Sequence, residues 1–128
     1  MKYSILSLIL TLLFLGHGDL LAANDFRERI YVQTDNQVYL AGELLWLKLC
    51  VTDATGIPVS FSKVGYVELL DESTALVQAK IEIKEGIGEG WLELPALLPT
   101  GYYRLVAYTR YMRNEGDTVF FRKTIGVV

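Results

Sequence analysis

The sequence predicts an all-β domain, an antiparallel seven-stranded β-sandwich, and three observations predict it. Apolar and polar residues alternate with a period of two through most of the chain, as in strands that bury one face. Clusters of Gly, Pro, Asp and Asn interrupt that alternation at intervals of about 10–15 residues, a spacing suited to short sandwich strands. No low-complexity segment, charge run or internal repeat marks a second domain.

Taken in order, Arg29 to Thr34 reads as a short strand ended by an Asp35-Asn36 turn. Leu44 to Asp53 is the clearest strand: Leu45, Leu47, Leu49 and Val51 share one wholly apolar face, and Trp46, Lys48 and Cys50 share the other. Ala54 to Pro58 carries its own breakers and reads as a loop. Ser62 to Asp71 is the next strand, with Val67 and Leu69 on one face and Val64, Tyr66, Glu68 and Leu70 on the other. After a turn at Glu72-Ser73-Thr74, Leu76 to Lys84 sets Val77, Ala79, Ile81 and Ile83 against Gln78, Lys80, Glu82 and Lys84, one dry face and one wet.

Glu85 to Gly90 reads as a glycine-rich hairpin turn using positive-φ positions. With no Gly-Lys-Ser/Thr and no helix behind it, the run is not a phosphate loop. Trp91 to Leu94 is a short strand stopped by Pro95. Leu98-Pro99-Thr100-Gly101 is a turn whose last glycine is expected at φ > 0. Tyr102 to Tyr108 then places Tyr103, Leu105 and Ala107 on one face and Tyr102, Arg104, Val106 and Tyr108 on the other. Arg110 to Asp117 is expected as a polar connection, and Thr118 to Val127 as the last strand.

A leader is expected before this domain. Lys2 is followed by an apolar run from Ile5 to Leu15, then by the small residues Gly16, Gly18, Ala22 and Ala23. A positive start, an apolar segment of about 7–15 residues and a small-residue exit describe a secretory signal peptide. Spanning a bilayer takes roughly 20 apolar residues, more than this run supplies, so a cleaved signal is the expectation and an uncleaved anchor the alternative. Cleavage is expected after Ala23, with Gly18 as the alternative, giving a signal peptide at 1–23 and a domain at 24–128. The product is therefore expected in the periplasm, the outer membrane or outside the cell.

The net charge of −3 is spread without a basic cluster, which argues against nucleic acid and against anionic lipid as partners. The single histidine, His17, leaves with the signal peptide. Without it, neither a Ser-His-Asp nor a Cys-His arrangement can be assembled, and the common zinc-ligand sets are also missing. The domain is expected to be non-enzymatic, with no cofactor and no metal. The single cysteine, Cys50, sits in the apolar run LLWLKLCV and is expected as a buried, unreactive thiol.

Two motifs carry a family resemblance. Tyr31 to Lys48, YVQTDNQVYLAGELLWLK, combines a short strand, an Asp-Asn turn, Tyr39, an Ala-Gly-Glu turn and an alternating strand. It resembles the opening of the second macroglobulin domain of the alpha-macroglobulin superfamily. Leu94 to Asn114, LPALLPTGYYRLVAYTRYMRN, is similar to the closing half of that domain in bacterial envelope proteins, where a Leu-Pro-x-Gly-x-Tyr turn enters a Leu-x-Ala-Tyr-Thr strand. The resemblance covers roughly residues 29 to 127 and implies an immunoglobulin/fibronectin-like sandwich. Tyr103 is expected to pack near the start of the penultimate strand and hold a neighbouring loop through its hydroxyl.

The resemblance also implies two roles. In large alpha-macroglobulins the domain is one brick of a ring that traps endopeptidases, using a bait segment and often a Cys-Gly-Glu-Gln thioester. Here Cys50 is followed by Val51, and the chain is too short for a bait segment. In bacterial envelope proteins the domain is an N-terminal module followed by others, and the leader and the YTRYMRN stretch fit this role better. The leading expectation is an exported, non-enzymatic scaffold or protein-interaction module, the N-terminal domain of a larger envelope protein. Its partner is expected to be a protein or downstream domains of the same polypeptide. The alternatives are endopeptidase inhibition within an alpha-macroglobulin-like protein, with a peptidase as partner, and a carbohydrate- or peptide-binding sandwich.

Two residue groups are candidate sites. Trp46 and Trp91 form a candidate stacking pair for a sugar or peptide, against the plainer reading of aromatics packed at the core or its rim. Tyr108, Arg110, Tyr111 and Arg113 set aromatics beside cations and form a candidate partner contact, since Tyr and Arg dominate interface hot spots. Their plainer reading is a solvated loop with cation–π neighbours. Glu82, Glu85, Glu89 and Glu93 read as a solvated face around a hairpin.

Overall fold

The computed structural model describes residues 27–128. The signal peptide expected at 1–23 lies outside the described residues. Eight strands follow in order: β1 (Glu28–Thr34), β2 (Val38–Tyr39), β3 (Leu44–Asp53), β4 (Val64–Asp71), β5 (Thr74–Glu82), β6 (Ile87–Glu93), β7 (Gly101–Thr109) and β8 (Phe121–Val127). They form a three-stranded sheet in the order β1-β3-β6 and a five-stranded sheet in the order β2-β8-β7-β4-β5. Neighbours are antiparallel except β2 and β8, which run parallel. The expected seven strands are present, and the two-residue β2 is the addition.

The period of two decides what is buried. In β3 Leu45, Leu47, Leu49 and Val51 are sealed, while Leu44, Trp46 and Lys48 face solvent. Ile30, Val32 and Leu92 complete the inner face of the three-stranded sheet. Across the core lie Val67, Leu69, Ile81, Tyr103, Leu105, Ala107, Ile125 and Val127 of the five-stranded sheet. Burying a side chain of this kind contributes about 1.5–3 kcal/mol, so the interdigitated faces are the main source of stability.

Four expectations are corrected. Gly88 and Gly90 belong to β6 and not to the turn, which is the two-residue hairpin Glu85-Gly86 with φ values of 53° and 80°. The two strand glycines make room for the end of β5: a Cβ on Gly90 would stand 2.5 Å from Ile81 Cδ1, and one on Gly88 would stand 2.7 Å from the Glu82 carbonyl oxygen. Gly101 does not adopt positive φ; it opens β7 as ordinary strand with no atom near a prospective Cβ. Its turn is held by the Tyr103 hydroxyl, which donates to the Pro99 carbonyl at 2.6 Å, as the resemblance implied.

The connection after β7 is more ordered than a polar loop. It contains a one-turn helix, α1 (Arg110–Arg113), and a 3₁₀ turn (Asp117–Val119), so β8 starts at Phe121 and not at Thr118. The buried Thr109 hydroxyl accepts the Met112 N–H at 3.2 Å, and Met112 is sealed in the core. An Arg29–Glu115 ion pair at 3.2 Å ties the same connection to β1. Cys50 is half-buried rather than buried. Alternation puts it on the outer face of β3, opposite in direction to Leu49 and Val51, between Tyr31 and Ile87.

Glu28, at the start of β1, has no exposed surface, and neither carboxylate oxygen meets a donor at hydrogen-bonding geometry among the described residues. Burial raises its pKa above 4.5, and the nearby Ser62 hydroxyl opposes that only in part. A raised carboxyl favours folding below the unfolded value, and this contribution disappears as pH rises through the folded value. Glu28→Gln is therefore expected to favour the folded domain more at pH 7 than at pH 4, where the carboxyl is already neutral. Denaturant midpoints at the two pH values check this; an equal shift at both would refute the charge argument.

Candidate functional site

Two surfaces gather the candidate residues. The first is the outer face of the three-stranded sheet. Register sets Trp46 directly opposite Trp91, with ring centroids 5.2 Å apart and planes inclined at 49°. The rings are 49% and 52% exposed, so the pair lies outside the core. It borders an open groove of about 550 Å³ whose polar wall is Gln33, Thr34, Asp35, Lys48 and Glu89.

The Thr-Asp motif makes one end of this groove rigid. Asp35 Oδ1 accepts the Tyr39 hydroxyl at 2.5 Å and the Trp46 N–H at 3.2 Å, while the Asp35 N–H donates to the Trp46 carbonyl at 3.1 Å. The Tyr39 hydroxyl also accepts the Asn36 N–H at 2.8 Å. Burial and the Asp35 acceptor push the Tyr39 pKa up to about 12, so it remains a neutral donor. The Ala-Gly-Glu motif closes the next turn: Gly42 sits at φ +84°, and the Glu43 carboxylate accepts the Leu40 N–H at 2.7 Å. Both motif segments thus act as clamps between β1, β2 and β3.

The second surface lies on the five-stranded sheet near α1. Tyr66, Tyr108 and Phe120 stack in sequence, with centroid separations of 5.4 and 4.4 Å and planes inclined by 16° at each step. Arg113 Cζ stands 6.0 Å from the Tyr108 ring centre. The Tyr108 hydroxyl donates to Glu68 Oε1 at 2.9 Å, and Gln78 donates to the same oxygen at 2.8 Å. Burial and Glu68 push the Tyr108 pKa up to about 12.

The four expected partner-contact residues therefore divide. Tyr108 and Arg113 belong to the stack, whereas Arg110 and Tyr111 line an adjoining groove of about 490 Å³ with Phe61, Lys63, Tyr66 and Asn114. The sequence reading misses both: Phe61 sits in the connection before β4, and Lys63 falls within the strand expected from Ser62, which the structure begins at Val64. Phe61 is 70% exposed and Tyr111 40% exposed, and no carboxylate lines this groove.

Of the four hairpin glutamates, Glu89 lines the tryptophan groove, and Glu82 makes a solvated contact with Lys84 at 3.8 Å. Among the described residues, no three His, Cys, Asp or Glu side chains gather to hold a metal ion, and no helix is long and apolar enough to cross a membrane.

No family model matches the chain, and no curated protein matches it in sequence. Solved structures are similar to it. A Salmonella alpha-2-macroglobulin mutant aligns with 81% of the chain at 16% identity and a TM-score of 0.63. Trypsin-activated alpha-2-macroglobulin from Escherichia coli aligns with 78% at 17% identity and a TM-score of 0.62. The Escherichia coli protein activated by porcine elastase aligns with 79% at 16% identity and a TM-score of 0.63. The aligned region spans only 6%, 6% and 8% of those chains. At these identities the likeness is one of fold: the described residues share the sandwich fold of one domain within those alpha-2-macroglobulins.

Proposed function

With a macroglobulin-like sandwich as the premise, we propose that the chain is a non-enzymatic, exported scaffold and interaction module. The mature module begins after the signal peptide at 1–23 and works as one brick of a larger assembly in the cell envelope. The observation that carries this reading is the groove between Arg110, Tyr111, Phe61 and Lys63. An acidic chain, of net charge −3, has gathered two cations and exposed aromatics there without a lining carboxylate. A groove of this kind suits a protein surface, or a further domain of the same polypeptide, that presents carboxylates around an apolar anchor.

Photo-crosslinking tests the reading. A benzoylphenylalanine at Tyr111 is expected to give a discrete protein adduct in the native envelope, and one at exposed Leu76 on β5 is not. Arg110→Glu combined with Lys63→Glu should reduce the Tyr111 adduct at least tenfold. Equal adducts from both positions, or an adduct indifferent to the charge reversal, would count against this docking surface.

The similar structures activated by trypsin and by porcine elastase favour one second reading, a contribution to endopeptidase capture within a larger protein. Stoichiometric loss of trypsin or elastase activity on adding the purified chain would support it. Unchanged activity is the outcome expected of a scaffold.

A further inference from the structure

We propose that the Trp46–Trp91 groove binds the ring face of a neutral sugar. The outward residues of this sheet form rows across the strands. Trp46 faces Trp91; the next row is Gln33, Lys48 and Glu89; the one beyond is Tyr31, Cys50 and Ile87. An aromatic shelf is thus bordered by an amide, an ammonium and a carboxylate group about 6–7 Å further along the strands.

A pyranose has complementary chemistry. One face of its ring is a patch of C–H groups, which gains by covering an indole and leaving water. Its rim carries hydroxyls that need both donors and acceptors. Gln33 offers both, Lys48 donates and Glu89 accepts, all beside the tryptophan pair. The volume of about 550 Å³ falls within the usual range for ligand sites of about 300–1,000 Å³. The shelf is also set in advance, because the Asp35 clamp fixes the backbone of Trp46 from both sides. The backbone share of the ordering cost is thereby removed before a small ligand arrives.

The same features weigh against other occupants. Asp35 and Glu89 outnumber Lys48, so phosphates and nucleotides meet a net negative rim. A hydrocarbon would cover the Gln33-Lys48-Glu89 row without satisfying it. A stable protein contact needs about 800 Å² on each side, whereas these three rows over three strands offer roughly 300 Å².

Intrinsic fluorescence of the full chain, titrated with cello-, xylo-, malto- and chito-oligosaccharides, tests the proposal, with choline chloride and inorganic phosphate as contrasting ligands. One saccharide class is expected to give a saturable emission change. Trp91→Ala and Trp46→Ala should each weaken binding at least tenfold by calorimetry. Lys48→Ala and Glu89→Gln should weaken it several-fold while keeping the wild-type melting temperature, and they carry the test if a tryptophan variant does not fold. Absence of a saturable response to every saccharide would overturn the proposal. So would undiminished affinity in the folded variants, or saturation by choline or phosphate without any sugar.

Discussion

Tyr39→Ala is expected to cost about 3–5 kcal/mol, the range for removing a large buried aromatic side chain. Tyr39 is only 1% exposed, and it does two jobs at once. Its ring fills the core beneath β2 and β8, and its hydroxyl satisfies Asp35 and the Asn36 N–H. Tyr39→Phe keeps the ring and removes only the hydroxyl, so about 1–3 kcal/mol is expected for the groups left unpaired. For a domain of about 100 residues each kcal/mol corresponds to roughly 4–8 °C, so thermal melts should resolve the series easily. Equal losses in the Phe and Ala variants would mean that the ring contributes little and the clamp nearly everything.

Gly86→Val is expected to be the most damaging turn substitution. Gly86 sits at φ +80°, where a β-branched residue carries about 1–3 kcal/mol of backbone strain. The new Cβ would also stand 2.9 Å from the Val59 carbonyl oxygen and 3.1 Å from that of Val51. These are backbone atoms in a segment where Val51 N–H already donates to the Gly86 carbonyl at 2.7 Å, so relief means opening the hairpin from β3. Gly101→Val is the contrast: with extended backbone and open space, a change within about ±0.5 kcal/mol is expected. Denaturant midpoints of the pair check both, and a Gly101 variant as unstable as the Gly86 variant would overturn the assignment.

These two glycines show what a sequence can and cannot convey. Leu45, Leu47, Leu49 and Val51 alternate over a whole strand, and the buried face of β3 follows from their period alone. Gly86, Gly88 and Gly90 are identical letters in one run, yet the first serves a turn and the others serve strand packing against Ile81 and Glu82. That distinction depends on where β5 crosses to the other sheet, a long-range fact. The two residues of β2 and the four of α1 are too few to display any period. Trp46 and Trp91 could be named from the sequence, but their facing positions depend on register across a long connection. Arg110 and Tyr111 were legible as a pair, while Phe61 and Lys63 join them only because β4 begins beside α1.

The parallel pairing of β2 with β8 has a consequence for the order of events as the chain is synthesised. Val38 pairs with Gly126 and Tyr39 with Val127, while Gln37 and Tyr39 carbonyls accept from Gly126 and Val128. An early segment of the described chain is thereby completed by its last residues. Pairings of such wide sequence separation carry a large loop-closure cost and form slowly. A chain emerging from its amino end can assemble β1 with β3 while Tyr39 still lacks part of its cover. The final seal on that cover awaits Gly126 and Val127, which makes the arrival of β8 a checkpoint on whether the sandwich closes.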